Sequence, residues 1–284
     1  MNKPLFMRIV HHLSIEVEYF QPTQDAVGRS SLSPLQKCTA TICQLAYGGG
    51  TDTIDEYVRL GETIARKCLH HFTAGIIHLF GDEYLRHPTP EDLERLLHIG
   101  EQRGFPGMVG SIDCMHWGWK NCPTSWKGMY SRGTEKPSIV LEAATFIQFI
   151  RLPHGLKNSI FAKIQEVVRK DVERAFGVLQ ARFAVVKNPS NLWDKNKIAN
   201  IMRACIILHN MIVEDERDSY TQYDVLEFQQ GEGVDLTYSV DMATNLGYTI
   251  DRRTRVRDRQ AHQQLKNDLI ENIWTKFRHL PNNI

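Results

Sequence analysis

The chain has 284 residues, of which 42% are hydrophobic and 24% are charged, as in a folded protein with a hydrophobic core. No apolar run reaches the ~20 residues that a membrane-spanning helix requires, and the first eight residues lack the uninterrupted apolar region of a signal peptide. The formal net charge of +1 provides no global attraction for nucleic acid. Any contact with DNA must therefore come from local groups of basic side chains.

The cysteines do not form a recognisable metal or disulfide framework. No C-x-x-C pair occurs among the six, which stand at positions 38, 43, 68, 114, 122 and 205. This argues against a zinc ribbon and, in a chain that is not secreted, against disulfides. Cys114, His116 and Cys122 are close enough to indicate a metal site, but no fourth ligand is evident. We therefore favour buried thiols over a zinc site.

Residues 1–34 are predicted to form an N-terminal helix and a linker. Apolar residues recur at helical spacing over residues 3–13, whereas residues 21–34 are polar and contain two prolines. Because a helical pattern starts so close to Met1, we expect the natural sequence to extend upstream.

Residues 35–104 are predicted to form a helical unit that resembles a helix-turn-helix. A helix that stops at Gly48 is followed by a short helix over 53–59, a turn at Gly61 and a longer helix over 64–80. A short helix, a glycine-containing turn and a longer helix are typical of DNA-binding units. The basic side chains near the start of the longer helix would contact DNA: Arg66, Lys67, His70 and His71. An ordinary helical bundle with a solvated basic face remains the alternative.

One more helix is expected to start at Thr89-Pro90-Glu-Asp92. After this helix the predicted elements include strands as well as helices. Three strand-like runs then predict strands over 108–113, 126–130 and 138–143. Two strongly striped helices are predicted over 163–186 and 197–213, and we expect both to pack on an incomplete sheet. We thus assign residues 105–213 to a mixed α/β domain, and residues 214–284 to an acidic loop and a C-terminal helix.

The most unusual stretch is Gly110-Ser-Ile-Asp113-Cys-Met-His-Trp117, followed by Gly-Trp-Lys-Asn-Cys-Pro-Thr-Ser-Trp-Lys-Gly128. A strand that leaves the core and ends on a carboxylate is a common way to present a metal ligand. The alternative is that Asp113 only caps a turn. A second distinctive run, Lys170-Asp-Val-Glu173-Arg-Ala-Phe-Gly-Val-Leu-Gln-Ala-Arg-Phe183, lies on the predicted helix over 163–186.

Together these two runs resemble the core motifs of PIF/Harbinger-type transposases and their domesticated plant relatives, the Harbinger transposase-derived nucleases. The resemblance implies an RNase H-like DDE domain in which Asp113 is the first acidic residue of the triad and Glu173 the third. It also implies that both carboxylates bind Mg²⁺ or Mn²⁺ and that the protein acts on DNA in the nucleus. Basic side chains near the motifs would line a phosphate-binding surface: Lys120, Lys127, Arg132, Arg174 and Arg182.

The family segment that would carry the second Asp of the triad is absent. After Ala143 the chain runs directly into sequence that resembles a later part of the family, and residues 144–162 contain neither Asp nor Glu. Asp113 and Glu173 stand only 60 positions apart, which leaves little room for a complete RNase H-like sheet. We interpret this as an internal deletion or a mis-spliced gene model, with Glu142 and Glu166 as the nearest substitute carboxylates.

Catalysis is therefore expected to be lost. Such enzymes use two divalent ions ~3.5–4 Å apart, and the second Asp typically bridges them. The alternatives are an active metal-dependent nuclease, or a catalytically dead DNA- or chromatin-associated protein or decayed gene. The resemblance further implies a Myb-like DNA-binding partner or chromatin proteins as partners, and no membrane.

Overall fold

The computed structural model describes residues 1–24, 28, 30–48, 60–110, 114–131, 136–142, 155–188, 190–220 and 259–279. These residues are mostly helical and include one two-stranded sheet. They form two compact units, each made of three segments of the chain. The first unit comprises Met1–Arg86, Met115–Leu141 and Phe176–Tyr238, and the second comprises His87–Cys114, Glu142–Ala175 and Ser239–Ile284. The sequence-based boundaries at residues 34, 104 and 213 stay a prediction.

Local capping signals explain where the first helices begin. Helix α1 (Lys3–Glu16) starts after Asn2, whose side chain accepts the Leu5 N–H at 2.9 Å. Helix α2 (Pro34–Tyr47) starts with a capping box between Ser33 and Gln36, which satisfies two backbone donors that the first turn leaves unpaired.

As predicted, α2 ends at Gly48. This residue has φ +57°, a conformation that glycine adopts without steric cost. A Cβ at this position would also lie 2.5 Å from the backbone carbonyl carbon of Ala184. Gly48 is therefore required both by the helix end and by the close approach of another part of the first unit.

The first unit is built around helix α3 (Glu62–Tyr84), which packs against α1, α2 and helix α8 (Lys195–Tyr220). Its contact with α8 is the most extensive between described elements. The buried stripe of α3 follows the helical period: Ala65, Cys68, Leu69, Phe72, Thr73, Gly75, Ile76 and Phe80. This apolar stripe provides most of the driving force for the packing, at about 1.5–3 kcal/mol for each large side chain fully buried.

Helix α8 differs from its prediction in length and in what it packs against. It extends to Tyr220, so residues 214–220 of the predicted acidic loop are helical and the rest of that loop lies outside the described residues. Two contacts hold the last turns in place: Tyr84 donates to Glu214, and Arg182 pairs with Glu216. The most extensive packing of α8 among the described elements is on α3 and not on the sheet. The apolar stripe of α3 is much longer than two five-residue strands.

The sheet consists of β1 (Cys114–Gly118) and β2 (Ser138–Glu142). The strand predicted over 138–143 is confirmed for residues 138–142, and residue 143 lies outside the described residues. The strand predicted over 108–113 is not seen in residues 108–110, whereas residues 111–113 lie outside the described part. The Trp119 N–H donates to the Pro137 carbonyl at 2.8 Å, so the end of β1 lies beside the start of β2.

The strand predicted over 126–130 was wrong. A 3-10 turn (Thr124–Trp126) leads into the short helix α5 (Lys127–Tyr130). The turn starts at Pro123, whose carbonyl accepts the N–H groups of Trp126 and Lys127 at 2.9 and 3.1 Å. The aromatic residues at 126 and 130 imitate a strand pattern, but the proline fixes φ and initiates a turn instead.

The segment after the short helix α7 (Ala184–Lys187) lies along the end of β1. Ser190 donates its N–H to the Gly118 carbonyl at 2.8 Å and accepts the Lys120 N–H at 3.0 Å. Trp117 and Trp119 are buried, and their indole N–H groups donate to the carbonyls of residues 188 and 192 at 2.7 and 2.8 Å. Buried indoles need such acceptors, so the tryptophans fix the course of this segment.

The second unit contains helix α4 (Pro90–Gln102), the first part of helix α6 (Leu156–Arg182) and helix α9 (Arg259–Phe277). The predicted start of α4 is confirmed by a capping box between Thr89 and Asp92. The helix predicted over 163–186 begins earlier and is interrupted at Phe183. The hydrophobic core of this unit is formed by Phe105, Phe161, Val168, Leu269 and Ile273.

The fold is mixed α/β only in a coarse sense, because helices dominate and the sheet has two strands among the described residues. None of the helices in the described part is long and apolar enough to cross a membrane.

Candidate functional site

Glu173, the predicted third acidic residue, lies on the exposed side of α6 within a short ion-pair network. Arg169 donates to Glu166 through Nε and Nη2 at 2.9 and 2.8 Å, and to Glu173 through Nη1. The three residues are three and four positions apart on one helix, so they necessarily share a face. The Glu173 side chain is 44% exposed. Its carboxylate is thus engaged by a guanidinium from its own helix.

The pairing with Arg169 also affects the ionisation of Glu166 and Arg169 on this face of α6. The hydrogen bonds from Arg169 lower the pKa of the Glu166 carboxyl, and those bonds in turn raise the pKa of Arg169. Both groups therefore stay ionised near neutral pH. Exposed ion pairs contribute little to stability. The main effect of this pairing is therefore on the charge of the helix surface and not on the stability of the helix.

A divalent ion does not fit the described residues of this region. Hard cations such as Mg²⁺ need several oxygen ligands, yet Glu173 faces Arg169, and Glu166, one of the two substitute carboxylates, is paired with the same guanidinium. Over the ranges that the structure describes, no group of three or more His, Cys, Asp or Glu could hold a metal. Asp113 lies outside these ranges, so its approach to Glu173 stays a prediction.

The predicted DNA-contacting residues of α3 lie at its first turns. Arg66 is exposed and pairs with Glu62, Lys67 is exposed, and His70 is half-buried. The pKa of His70 is lowered, first by burial and then by the charges of Lys197 and Arg66. The start of α3 therefore lies close to the start of α8. The short helix predicted over 53–59 falls outside the described residues, so the helix-turn-helix stays a prediction.

The basic residues of the central motif are exposed where the structure describes them. Lys120 follows β1 directly, and Lys127 is the first residue of α5. Arg174 is exposed on α6, and Arg132 lies outside the described residues. The structure thus keeps Lys120 and Lys127 available for phosphate contacts.

The cysteine and histidine side chains of the motif have separate environments. His116 is exposed, and its Nδ1 lies 3.0 Å from the Ser138 hydroxyl across the sheet. Cys122 is buried, and its burial raises the pKa of the thiol. A protonated buried thiol is a weak metal ligand.

Comparison with known proteins finds a similarity to a family of plant transposon proteins. A model of the family described as plant transposon protein matches residues 82–145 and 142–220. The match supports a transposon-derived origin. No curated protein and no solved structure matches the chain. The two matched segments meet at residues 142–145, which is where the sequence predicts the join between two separate family-like segments.

The structure also has a surface that sequence reasoning missed. Around the buried Trp119 lie Trp126, with ring centroids 6.0 Å apart, and Tyr130, at 5.1 Å. The Lys195 ammonium lies 5.6 Å from the centroid of the Tyr130 ring. Trp193 follows the residue whose carbonyl accepts the Trp119 indole.

The solvent-accessible part of this cluster is named here the tryptophan–lysine surface. It consists of the exposed Trp126, Trp193, Lys120 and Lys127 and the half-buried Lys195. Only one signal in the sequence could have indicated it: a tryptophan at 193 surrounded by the polar residues Asn191, Asp194, Lys195 and Asn196.

Proposed function

We propose that the protein is a DNA-binding, transposase-derived member of the DDE endonuclease superfamily, of the PIF/Harbinger type, that has lost DNA cleavage. The observation that carries the proposal is the environment of Glu173. This carboxylate is paired with Arg169, and no set of three metal-ligating side chains is found in the described ranges. The match to the plant transposon family supports the origin.

The missing second Asp gives a separate reason for the loss of cleavage. A two-metal site needs a ligand that both ions share, and residues 144–162 have no carboxylate to provide one. The division of the family match into two segments that meet at residues 142–145 supports the loss of family sequence at this point.

Binding of DNA would rely on local basic groups, because the whole chain carries a formal charge of only +1. Arg66 and Lys67 on α3 and Lys120 and Lys127 in the central motif are exposed and can contact phosphates. In this proposal the protein works in the nucleus, with a Myb-like protein or chromatin proteins as partners.

Nicking of supercoiled plasmid tests the proposal. The purified full chain is incubated with Mg²⁺ or Mn²⁺ beside Asp113→Ala and Arg169→Ala, and no nicking is expected from any of the three. Arg169→Ala releases Glu173 and thereby separates the two reasons for inactivity: continued inactivity assigns the loss to the missing ligand. Metal-dependent nicking by the natural chain that disappears in Asp113→Ala would refute the proposed loss of cleavage.

Binding of duplex DNA is measured in the same preparation by titration at several salt concentrations. We expect the logarithm of the binding constant to fall with the logarithm of the salt concentration, by about 0.9 for each phosphate contact. Arg66→Ala and Lys67→Ala should each reduce this slope by about one contact. An affinity that does not depend on salt would contradict phosphate binding by these residues.

A further inference from the structure

The tryptophan–lysine surface combines large exposed aromatic rings with positive charge. Trp193 is 68% exposed and Trp126 is 40% exposed. An indole of this size is normally buried to a large extent, so these two exposed indoles require an explanation. The Trp126 ring contacts the buried Trp119, and Trp193 directly follows Leu192, whose carbonyl accepts the Trp119 indole N–H. Met129, which is 64% exposed on the short helix α5, adds to the apolar area.

The charges around these rings are almost all positive. The two segments that build the surface, residues 114–131 and 184–200, contain five lysines and one carboxylate. The carboxylate belongs to Asp194, which accepts the Asn196 N–H at 2.9 Å at the start of α8 and thus has a local structural function. Lys197 and Asp194 both lie close enough to His70 to influence its pKa, Lys197 by lowering it and Asp194 by raising it, so this end of the surface lies near the start of α3.

Hydrogen bonds from buried side chains hold the backbone that carries the tryptophan–lysine surface. Trp117 and Trp119 are buried, and their indole N–H groups anchor the carbonyls of residues 188 and 192 to the end of β1. Asn121 donates to the Asn191 carbonyl as well. The exposed rings thus project from backbone that is already ordered, which reduces the entropy lost when a ligand binds.

We propose that the tryptophan–lysine surface binds single-stranded nucleic acid, with Trp193 and Trp126 stacking on unpaired bases and Lys120, Lys127 and Lys195 contacting the adjacent phosphates. Aromatic rings beside basic side chains are the means by which proteins bind single strands without reading sequence. The inference goes beyond the proposed function, which concerns duplex DNA and the absence of cleavage.

The combination of rings and lysines favours a single strand over a duplex. In a duplex the faces of the bases are stacked on each other and only phosphates and groove edges are accessible. Lysines alone would serve for phosphates, and exposed indoles would add nothing. A single strand exposes base faces and phosphates in alternation, which matches the composition of the surface.

The test uses the full chain and a fluorescently labelled 20-nucleotide oligothymidine, with binding followed by anisotropy. Stacking is worth about 1–3 kcal/mol per base, which corresponds to a loss of about 5- to 150-fold in affinity for Trp193→Ala. Trp193→Phe keeps an aromatic face and should recover part of the affinity. Tyr47→Ala is the matched control, because Tyr47 is also an exposed aromatic residue, 69% exposed at the end of α2, and should bind as the natural chain does.

Two further ligands distinguish the contribution of base stacking to the affinity from the contribution of phosphate binding. A strand of abasic nucleotides keeps the phosphates but lacks the bases, so it should bind weakly and equally to the natural chain and to Trp193→Ala. A duplex containing the same strand should be insensitive to Trp193→Ala, whereas Arg66→Ala tests duplex binding separately. Oligouridine in place of oligothymidine decides whether the surface distinguishes RNA from DNA.

The outcomes are decisive in either direction. Absence of binding to the single strand, or an affinity unaffected by Trp193→Ala, would overturn the inference, as would an equal loss for strand and duplex. Since Trp193 is largely exposed, its replacement should leave the far-ultraviolet circular dichroism and the thermal midpoint unchanged, and these are recorded for every variant. Lys120→Ala and Lys127→Ala should each lower the salt dependence of single-strand binding by about 0.7, whereas an unchanged slope would remove the lysines from the proposal.

Discussion

The clearest consequence of the packing of α8 concerns His209. This side chain is 5% exposed, and its Nδ1 has no hydrogen-bond partner. Burial, followed by the positive charge of Arg182, lowers the pKa of His209 to about 4, against a smaller opposing effect of Glu216. The unfolded chain, with an ordinary histidine pKa of about 6.5, binds a proton at mildly acidic pH that the folded chain does not bind. Stability must therefore fall as the pH falls from about 6.5 towards 4.

The size of the effect follows from the two pKa values. A difference of about 2.5 pH units corresponds to about 3 kcal/mol when the pH lies below both values. Between pH 7.5 and pH 5 the contribution of His209 to the free energy of unfolding should fall by about 2 kcal/mol. That is a large fraction of the ~5–15 kcal/mol that stabilises a typical domain.

The assay is urea unfolding at pH 7.5, 6.5, 5.5 and 5.0, followed by tryptophan fluorescence, because four of the five tryptophans lie in the first unit. His209→Leu and His209→Gln remove the titrating group in two different ways, one apolar and one polar. Both variants should lose about 2 kcal/mol less than the natural chain between pH 7.5 and pH 5. If both lost as much stability as the natural chain over this range, the titration of His209 would not be responsible and the reasoning would fail.

Two further substitutions test the packing of the first unit in the same unfolding assay. Gly48→Ala should destabilise the protein by about 1–3 kcal/mol, because φ is +57° and the new Cβ would meet the backbone of Ala184. Gly61→Ala, where space is open and φ is −58°, is the control, and equal effects at both sites would contradict the explanation. Trp119→Phe should cost about 1–3 kcal/mol, because the carbonyl that accepts its indole N–H would lose its partner. A change below 0.5 kcal/mol would indicate that water replaces the indole.

Local signals in the sequence predicted those parts of the fold that local interactions determine. The start of α4 at Pro90 and the end of α2 at Gly48 were predicted because a capping side chain or a left-handed glycine acts within a few residues. The strand predicted over 126–130 is replaced by a turn and a short helix, because Pro123 initiates a turn directly before it. The true end of α8 was missed because Tyr84, far away in sequence, contacts its last turns.

The candidate site could be predicted less well than the helices. The pairing of Arg169 with Glu166 and Glu173 was readable from their spacing of three and four residues. The resemblance to DDE motifs directed attention instead to the distant Asp113. The exposure of Trp193 could not be read from the sequence, since it depends on which tryptophans the neighbouring segments bury, and that is a property of the folded chain.

In the proposed function, nucleic-acid binding and DNA cleavage depend on different groups of residues. The resemblance assigns the segment from Gly110 to Gly128 to catalysis through Asp113, but the described part of the segment has a different structural function. Trp117 and Trp119 are buried and hold the following chain by hydrogen bonds to its carbonyls, which brings Lys195 onto the ring of Tyr130. The absence of a metal ligand elsewhere in the chain would change none of these contacts. A chain that cannot cut DNA would therefore still present the tryptophan–lysine surface, and Trp119→Phe should weaken single-strand binding by displacing that surface although Trp119 itself contacts no nucleic acid.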